Sequence, residues 1–493
     1  LTFNDLKSLC NPIDVSGPEP NSIGTLTQDS RKVKENSVFI AIKGFQVDGH
    51  AFIDDAIANG ASVIICENSY DTEEEVCILE VSNTRSLIGP LAQAFEGNPG
   101  KKLTIIGITG TNGKTTVATL VYQTLQKLGA KPSLLGTVGK LITGDKVKSL
   151  LTTSDPIELA SDMADMVESG STHLVMEVSS HALDQQRTAG VDFQIAAFTN
   201  LSHDHLDYHK DLKAYAKSKK KLFDNLSADA TAVINGDDNQ ASYITMDCPA
   251  RIVNFSFKKA LEVECQVLSN TIKGLVVRIG TTMLESPLVG TFNAYNLTEA
   301  FLICRALGYA DQEIREALET SAGAAGRLDR VQGSGENKNP VVLVDYAHTP
   351  DALENVASTL ADVKDKGQIL HIVFGCGGNR DTTKRPKMAQ VAEQYADKVT
   401  VTSDNPRDED PDSIIDDIMT GFSNPEAIER IADRKKAIEK AVENGKPNTM
   451  ILIAGKGHET YQEIKGKRHD FDDREIARKA LDHKNDNAKS GVH

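Results

Sequence analysis

Residues 107–116 read GITGTNGKTT and follow directly on the apolar run Leu103 to Ile108, with Lys114, Thr115 and Thr116 opening a helical pattern that continues to Leu128. A strand, a glycine turn and a Lys-Thr helix start, in that order, is how a backbone wraps the phosphates of a nucleoside triphosphate. Glycines let the turn's amides point inward, the helix N-terminus adds positive partial charge, Lys114 can reach the β- and γ-phosphates, and Thr115 can ligate Mg²⁺. The usual pattern places a glycine five positions before Gly113; here that position is Ile108, and the glycines fall at Gly107 and Gly110.

Outward from this loop, the 493 residues allow about three domains of roughly 150 residues each. Charged residues make up 25% of the chain and no segment is low in complexity, the profile of folded domains. Disorder is expected chiefly over 482–493. The net charge of −16 opposes a broad nucleic-acid or anionic-membrane surface, so phosphate binding must be focal. Seven cysteines without C-x-x-C spacing read as reduced thiols. There is neither an apolar run of about 18 residues nor a signal-peptide pattern, so a cytoplasmic protein without membrane insertion is expected.

Short apolar runs at Ser37 to Ile42 and Ala61 to Cys66, with a helix near Phe52 to Asn59, precede the break EGNPGKK at 96–102. From Leu103, strand-like runs (LTIIGIT, HLVMEV, QIAAFTN, TAVIN) alternate with helix-period segments such as Thr115 to Leu128 and Ile157 to Val167. A second break, GSGENKNP at 333–340, precedes a new β/α rhythm. Its strands are expected at 341–346, 369–374, 398–402 and 449–454, and its helices near 351–363, 386–396, 411–421 and 433–444. The fold class is α/β in three domains: 1–99, a central P-loop-type parallel-sheet domain at 100–334, and a Rossmann-like domain at 335–493.

Ligands of parallel sheets collect beyond the carboxyl ends of the strands. One such end delivers Glu177, Ser179, Ser180 and His181; another delivers Asn200, Ser202 and the run HDHLDYH at 203–209. That run suits magnesium beside a triphosphate, a zinc site, or a polar loop, and its residues alone leave the three open.

TGTNGKTT, MEVSSHAL, TNLSHDHLDYH, GTFNAYNL, VDYAHTPD and SDNPR, in this order, resemble the Mur ligase family, and within it the tripeptide-forming type, over essentially the whole chain. The resemblance implies an ADP-forming ligase that uses ATP and Mg²⁺ to join meso-diaminopimelate to UDP-N-acetylmuramoyl-L-alanyl-D-glutamate through an acyl phosphate, as a monomer. It assigns Gly110, Thr111, Asn112, Gly113, Lys114, Thr115 and Thr116 to the ATP phosphates. Asn293, Asn296, Arg327 and Asp345 match nucleotide contacts, with Ala325 where a proline is usual. Thr115, Glu177 and His205 match metal-binding positions, as does Lys219, set between Tyr215 and Phe223 where the family carries a carbamylated lysine. A solvated basic helix is the plain reading of the run Lys217, Lys219, Lys220 and Lys221.

The implied nucleotide-sugar contacts are Gln28, Ser30, Phe45, Gln46, Val47, Thr152, Thr153, Ser179, Gln185 and Arg187, with Ser154 where proline is common and a looser turn therefore expected. The implied amino-acid pocket comprises Arg380, Asp404, Asn405, Pro406, Arg407, Gly455 and Glu459. Arg407 supplies the physical reason for the choice of substrate: its guanidinium matches the distal carboxylate of diaminopimelate and meets the bare ammonium of lysine with like charge. The alternatives are a lysine-adding ligase, a folylpolyglutamate synthetase-like ligase, which the first 99 residues disfavour, and a non-catalytic nucleotide-binding regulator.

Overall fold

The computed structural model describes residues 1–44, 47–147, 151–202, 206–334 and 339–490. The chain forms two compact units, Leu1–Cys265 with Asn296–Ala317, and Gln266–Tyr295 with Leu318–His493.

The first unit opens with a five-stranded sheet in the order Asp14–Ser16, Cys77–Glu80, Ala61–Cys66, Ser37–Ile40, Leu26–Thr27, parallel except at the Asp14–Ser16 edge. Val38 and Ile40 pack with Leu6 and Leu91 on one face. Phe39 and Ala41 pack with Ile53 and Ala56 on the other. Covering both faces is why these strands read as unbroken apolar runs rather than as an alternation.

The same unit holds a parallel sheet in the order Arg251–Ser256, Thr231–Asn235, Ile195–Phe198, Thr104–Thr109, His173–Glu177, Pro132–Gly136. It is extended by the antiparallel strands Gly139–Ile142 and Asp145–Val147. Thr104–Thr109 comes first in sequence yet lies in the middle, so the chain leaves it toward both sides. A crevice opens at such a switch point, and the glycine loop starts there.

In the second unit a six-stranded sheet runs Asp329–Val331, Val341–Asp345, Thr449–Ala454, Ile369–Phe374, Lys398–Val401, Glu429–Arg430, with only the first pairing antiparallel. Its helices start at strong N-terminal signals: Thr349 caps Pro350–Asp362 and Asp410 caps Pro411–Met419, each with proline in the first turn. The strands Ala61–Cys66, Ile369–Phe374 and Thr449–Ala454 coincide with their apolar runs. The expected disorder from residue 482 gives way to the helix Asp473–Ser490. Ala477, Ala480 and Leu481 are buried on it, and Asp482 accepts from the Ser334 amide and hydroxyl (2.6 and 2.8 Å), which ties the last turns down. Among the described residues no helix is long and apolar enough to cross a membrane.

Glu299, on the helix Thr291–Ala306, is fully buried, and its Oε1 has no hydrogen-bond partner among the described residues. Burial lifts its carboxyl well above the ordinary value of 4.5. A raised folded value contributes stability below the ordinary value that is lost as pH climbs toward the folded one. Glu299→Leu is therefore expected to raise Tm at pH 8 by about 2–6 °C, from roughly 1–3 kcal/mol of recovered desolvation, and by less at pH 5. Scanning calorimetry at both pH values checks this, and an equal gain at both would contradict it.

Candidate active site

The glycine loop is held by the neighbouring strand end. Asn200 accepts from the Asn112 amide through Oδ1 (2.9 Å) and from the Thr111 amide through its carbonyl (2.8 Å). Thr199 Oγ1 donates to the Asn112 carbonyl at 2.6 Å, and the Ser202 amide donates to Thr111 Oγ1 at 3.0 Å. Two glycines are obligatory. Gly110 has φ +152°, and a Cβ there would sit 1.8 Å from Thr199 Oγ1; Gly113 has φ +91°, and a Cβ would sit 2.6 Å from Asn296 Oδ1. The second contact brings Asn296 to the loop from 183 residues further along the chain.

Lys114 opens the helix Lys114–Lys127, with Nζ 2.8 Å from both the Gly110 and the Thr111 carbonyl. Lys219, 1% exposed, donates from Nζ to the same Gly110 carbonyl at 2.8 Å and lies over the Tyr215 ring at 4.5 Å. Two ammonium groups thus converge on one oxygen, a strongly electropositive point in a loop shaped for anions. Thr116 is buried in the first turn of the helix. Thr115 Oγ1 donates to Glu177 Oε2 at 2.9 Å, and Glu177 also accepts from the Thr137 amide at 2.8 Å and the Thr137 hydroxyl at 3.2 Å. Glu177 ends the strand His173–Glu177, which pairs in parallel with Thr104–Thr109, the strand that leads through the glycine loop into the helix carrying Thr115. This buried cluster of carboxylate and hydroxyl oxygens is the donor set magnesium takes, so the residues fit such an ion. His205 lies outside the described residues. His209 is buried, with Nε2 2.9 Å from Ser180 Oγ and its ring stacked on Tyr215.

Still within the first unit, a cleft of about 1340 Å³ is lined by Gln28, Ser30, Val47 and Gln185 among others. Phe45 and Gln46 lie outside the described residues. Thr152 Oγ1 is 3.2 Å from Thr137 Oγ1; Thr153 Oγ1 donates to the Glu177 carbonyl at 2.9 Å and lies 3.4 Å from Ser179 Oγ. Arg187 donates to the Thr153 carbonyl at 3.0 Å and through Nε and Nη2 to Gln185 Oε1 at 2.9 and 2.6 Å. The looser turn expected at Ser154 is absent: Ser154 is 4% exposed, and its hydroxyl lies 3.4 Å from Asp162 Oδ2. Asp162 in turn pairs with Lys140, which also bonds Glu158 at 2.7 Å. Lys140, nearly inaccessible on the cleft wall, had no signal in sequence beyond its charge.

In the second unit Asn293 Nδ2 bonds the Val289 carbonyl at 2.8 Å. Asp345 is buried and accepts from the Leu328 and Ala347 amides at 2.7 and 2.8 Å. Burial raises its carboxyl, and the Arg327 guanidinium opposes that rise. Arg327 lies over the Tyr346 ring at 5.1 Å. Close approach of Gly326 to Gly457, where a Cβ would meet the Gly457 carbonyl carbon at 2.2 Å, fixes this turn in the absence of the usual proline.

The loop Asp404 to Arg407 follows the strand Lys398–Val401. Asn405 donates to Glu459 Oε2 at 2.9 Å and accepts through Oδ1 from Lys456 Nζ (2.9 Å) and the Glu463 amide (2.9 Å). Lys456 is fully buried and also reaches Glu459 at 3.0 Å; sequence reasoning missed it. Arg407 has φ +52°, its amide donates to the Glu463 carbonyl (3.0 Å), and the Arg407 carbonyl accepts from the Lys465 amide (2.7 Å). Its Nη1 donates to the Gly378 carbonyl at 2.7 Å, and its Nε lies 3.6 Å from Glu463 Oε2. Arg380 is exposed; its Cγ and Arg407 Nη1 both flank Gly377. Pro406 and Gly455 complete the rim, a Cβ on Gly455 falling 2.5 Å from Asp404 Oδ2.

Three family models match: the Mur ligase family catalytic domain over residues 22–96, the Mur ligase middle domain over 108–304, and the Mur ligase glutamate ligase domain over 326–457. The UDP-N-acetylmuramoyl-L-alanyl-D-glutamate–2,6-diaminopimelate ligase of Cytophaga hutchinsonii is 41% identical over 486 residues, covering 98% of this chain and 99% of its own. Its namesake in Parabacteroides distasonis is 42% identical over 483 residues, covering 97% and 98%. A solved structure of a ligase of that name superposes with TM-score 0.73 at 32% identity over the full length of both chains. Folylpolyglutamate synthase of Mycobacterium tuberculosis, solved with ADP and AMPPCP, shares the fold with TM-score 0.59 at 20% identity, over 76% of this chain and 92% of its own.

Proposed function

Because the chain belongs to the Mur ligase family, we infer that it is the ATP-dependent ligase adding meso-2,6-diaminopimelate to UDP-N-acetylmuramoyl-L-alanyl-D-glutamate in peptidoglycan synthesis. The observation that carries the reading is the junction of Thr115 with Glu177, which ties the helix start of a phosphate loop to the carboxylate ending the adjacent strand. We assign residues 1–99 to the nucleotide-sugar peptide, 100–334 to ATP and 335–493 to the amino acid. The reaction belongs in the cytoplasm, where ATP and the nucleotide-linked substrate are held, and the monomer is taken as its working form.

An amine cannot expel oxide from a carboxylate, so the glutamyl carboxylate first attacks the γ-phosphorus of ATP. An acyl phosphate forms and ADP leaves. The neutral amine of diaminopimelate then adds to the acyl carbon, and the tetrahedral adduct collapses to the amide with loss of phosphate. The amides of Gly110 to Thr116 cradle the triphosphate, and Lys114 balances the charge moving between its oxygens. Asn293, Asn296, Arg327 and Asp345 hold the rest of the nucleotide.

Thr115, Glu177, His205 and Lys219 are the residues assigned to magnesium, which when bound supplies charge neutralisation for phosphoryl transfer. Convergence of the Lys114 and Lys219 ammonium groups on Gly110 supports a carbamate at Lys219, since that change turns a cation into an anion at the point where a metal is to be held. Native mass spectrometry in carbonate-buffered solution should show a carbamate increment that acidification removes; a Lys219 unmodified under those conditions contradicts the assignment.

Gln28, Ser30, Phe45, Gln46, Val47, Thr152, Thr153, Ser179, Gln185 and Arg187 bind the nucleotide-sugar peptide. Arg380, Asp404, Asn405, Pro406, Arg407, Gly455 and Glu459 bind diaminopimelate, Glu459 receiving the distal ammonium and Arg407 the distal carboxylate. Substrate labelled with ¹⁸O in the glutamyl carboxylate tests the route: one label should appear in the released phosphate, and unlabelled phosphate would exclude an acyl phosphate.

A further inference from the structure

Arg434 and Asp473 form an ion pair in which both side chains are 0% exposed. Arg434 Nε and Nη2 donate to the two Asp473 oxygens at 2.8 and 2.7 Å, a fork-on-fork pairing. The same guanidinium donates from Nη2 to the Ala454 carbonyl at 3.0 Å and from Nη1 to the Ser403 carbonyl at 3.3 Å. Ala454 ends the strand Thr449–Ala454, and Ser403 stands two residues beyond the strand Lys398–Val401. These two strands are not neighbours in the sheet, because Ile369–Phe374 lies between them. Their ladders to that middle strand end at Val401 and Ile453, and the guanidinium spans the two chains just beyond, at Ser403 and Ala454. The next residue on one side is Asp404 and on the other Gly455, whose backbone lies against the Asp404 carboxylate.

Burying two charges is a poor device for stability alone, since a well-packed apolar pair does as well or better. What it supplies here is geometry. We propose that the Arg434–Asp473 pair is a positioning element for the amino-acid pocket, fixing the Asp404–Arg407 loop against the Gly455–Glu459 loop and so setting affinity for the incoming diamino acid. The proposal rests on the ligase reading above. Neither residue reaches the pocket surface, so both act through the loops they hold. The Arg434 charge also faces Asp404 and Glu459, which reduces the repulsion between carboxylates gathered on one rim.

The test uses the full-length enzyme with ATP, the UDP-linked dipeptide and diaminopimelate. Arg434→Met/Asp473→Leu replaces the pair by apolar groups of similar volume. It should stay folded, with KM for diaminopimelate raised about tenfold or more and KM for ATP and for the UDP-substrate within about twofold of wild type, while Arg434→Lys should fall between. A uniform change in all three KM values, or an unchanged diaminopimelate KM in a folded variant, overturns the proposal. If the double variant does not fold, Asp473→Asn, which keeps the shape and removes one charge, is read by the same split. Wild type assayed alongside separates the two claims. A wild type without diaminopimelate-dependent phosphate release defeats the ligase reading itself, whereas an active wild type with unselective variants defeats only the positioning role.

Discussion

Lys114→Ala is expected to lower kcat for diaminopimelate-dependent ADP formation by about 10³-fold, the scale seen when one preorganised charge donor is removed from a reacting centre. In the folded chain its ammonium is spent on two carbonyls of its own loop, Gly110 and Thr111. Losing them should cost stability only about 0.5–1.5 kcal/mol each. The transition state should lose more, because Lys114 is assigned to neutralise the negative charge that shifts among the phosphate oxygens during transfer. The check is kcat together with ADP affinity by calorimetry: a large fall in the first with a modest fall in the second is the expected signature. A kcat within tenfold of wild type would remove Lys114 from the chemistry.

Arg407→Ala should raise KM for diaminopimelate about 100-fold and leave KM for ATP unchanged, the loss of one buried guanidinium–carboxylate pair being worth about 2–5 kcal/mol. One of its five N–H groups is committed to the Gly378 carbonyl. That bond aims the guanidinium and leaves donors for a ligand carboxylate. Arg407→Lys should fail nearly as badly, since a point charge cannot make the planar two-bond contact. The left-handed backbone at Arg407, φ +52°, stores strain of about 1 kcal/mol or more. Arg407→Gly should hence keep or raise Tm while losing diaminopimelate, a separation of stability from binding that a purely structural arginine would not give. Equal changes in the diaminopimelate and ATP KM values would sink the assigned role.

Much of this was legible in the sequence for a physical reason. Strands buried on both faces, such as Ile369–Phe374, leave continuous apolar runs, and helices with Thr-Pro or Asp-Pro starts announce their first turn. The hairpin Tyr461–Ile464 with Lys467–Asp470 went unread. Its residues are half-buried or exposed and mostly polar, so it carries no apolar signal, and only the Lys465-Gly466 turn, both residues at positive φ, marks it. That hairpin nonetheless supports Arg407 through its backbone.

The site was legible as motifs and illegible as a network. Thr115, Glu177, Thr153 and Arg187 were each named, but that they form one connected set depends on which strands are neighbours. Lys140, Lys456, Arg385 and Arg434 were passed over because a cation in sequence reads as surface; each is buried against carboxylates that the sequence places 3 to 39 residues away. Ser154 shows the same limit from the other side. Without proline its turn is held by a side-chain contact to Asp162, which no local rule anticipates.

The central claim is best tested by phosphate release from the purified protein with ATP, Mg²⁺ and UDP-N-acetylmuramoyl-L-alanyl-D-glutamate, with meso-diaminopimelate, L-lysine or no amino acid in parallel. Release that depends on diaminopimelate, with a product heavier by that residue, is the predicted result. A preference for lysine would keep the ligase and overturn the role of Arg407, and no amine-dependent release from folded, ATP-binding protein would contradict the account as a whole.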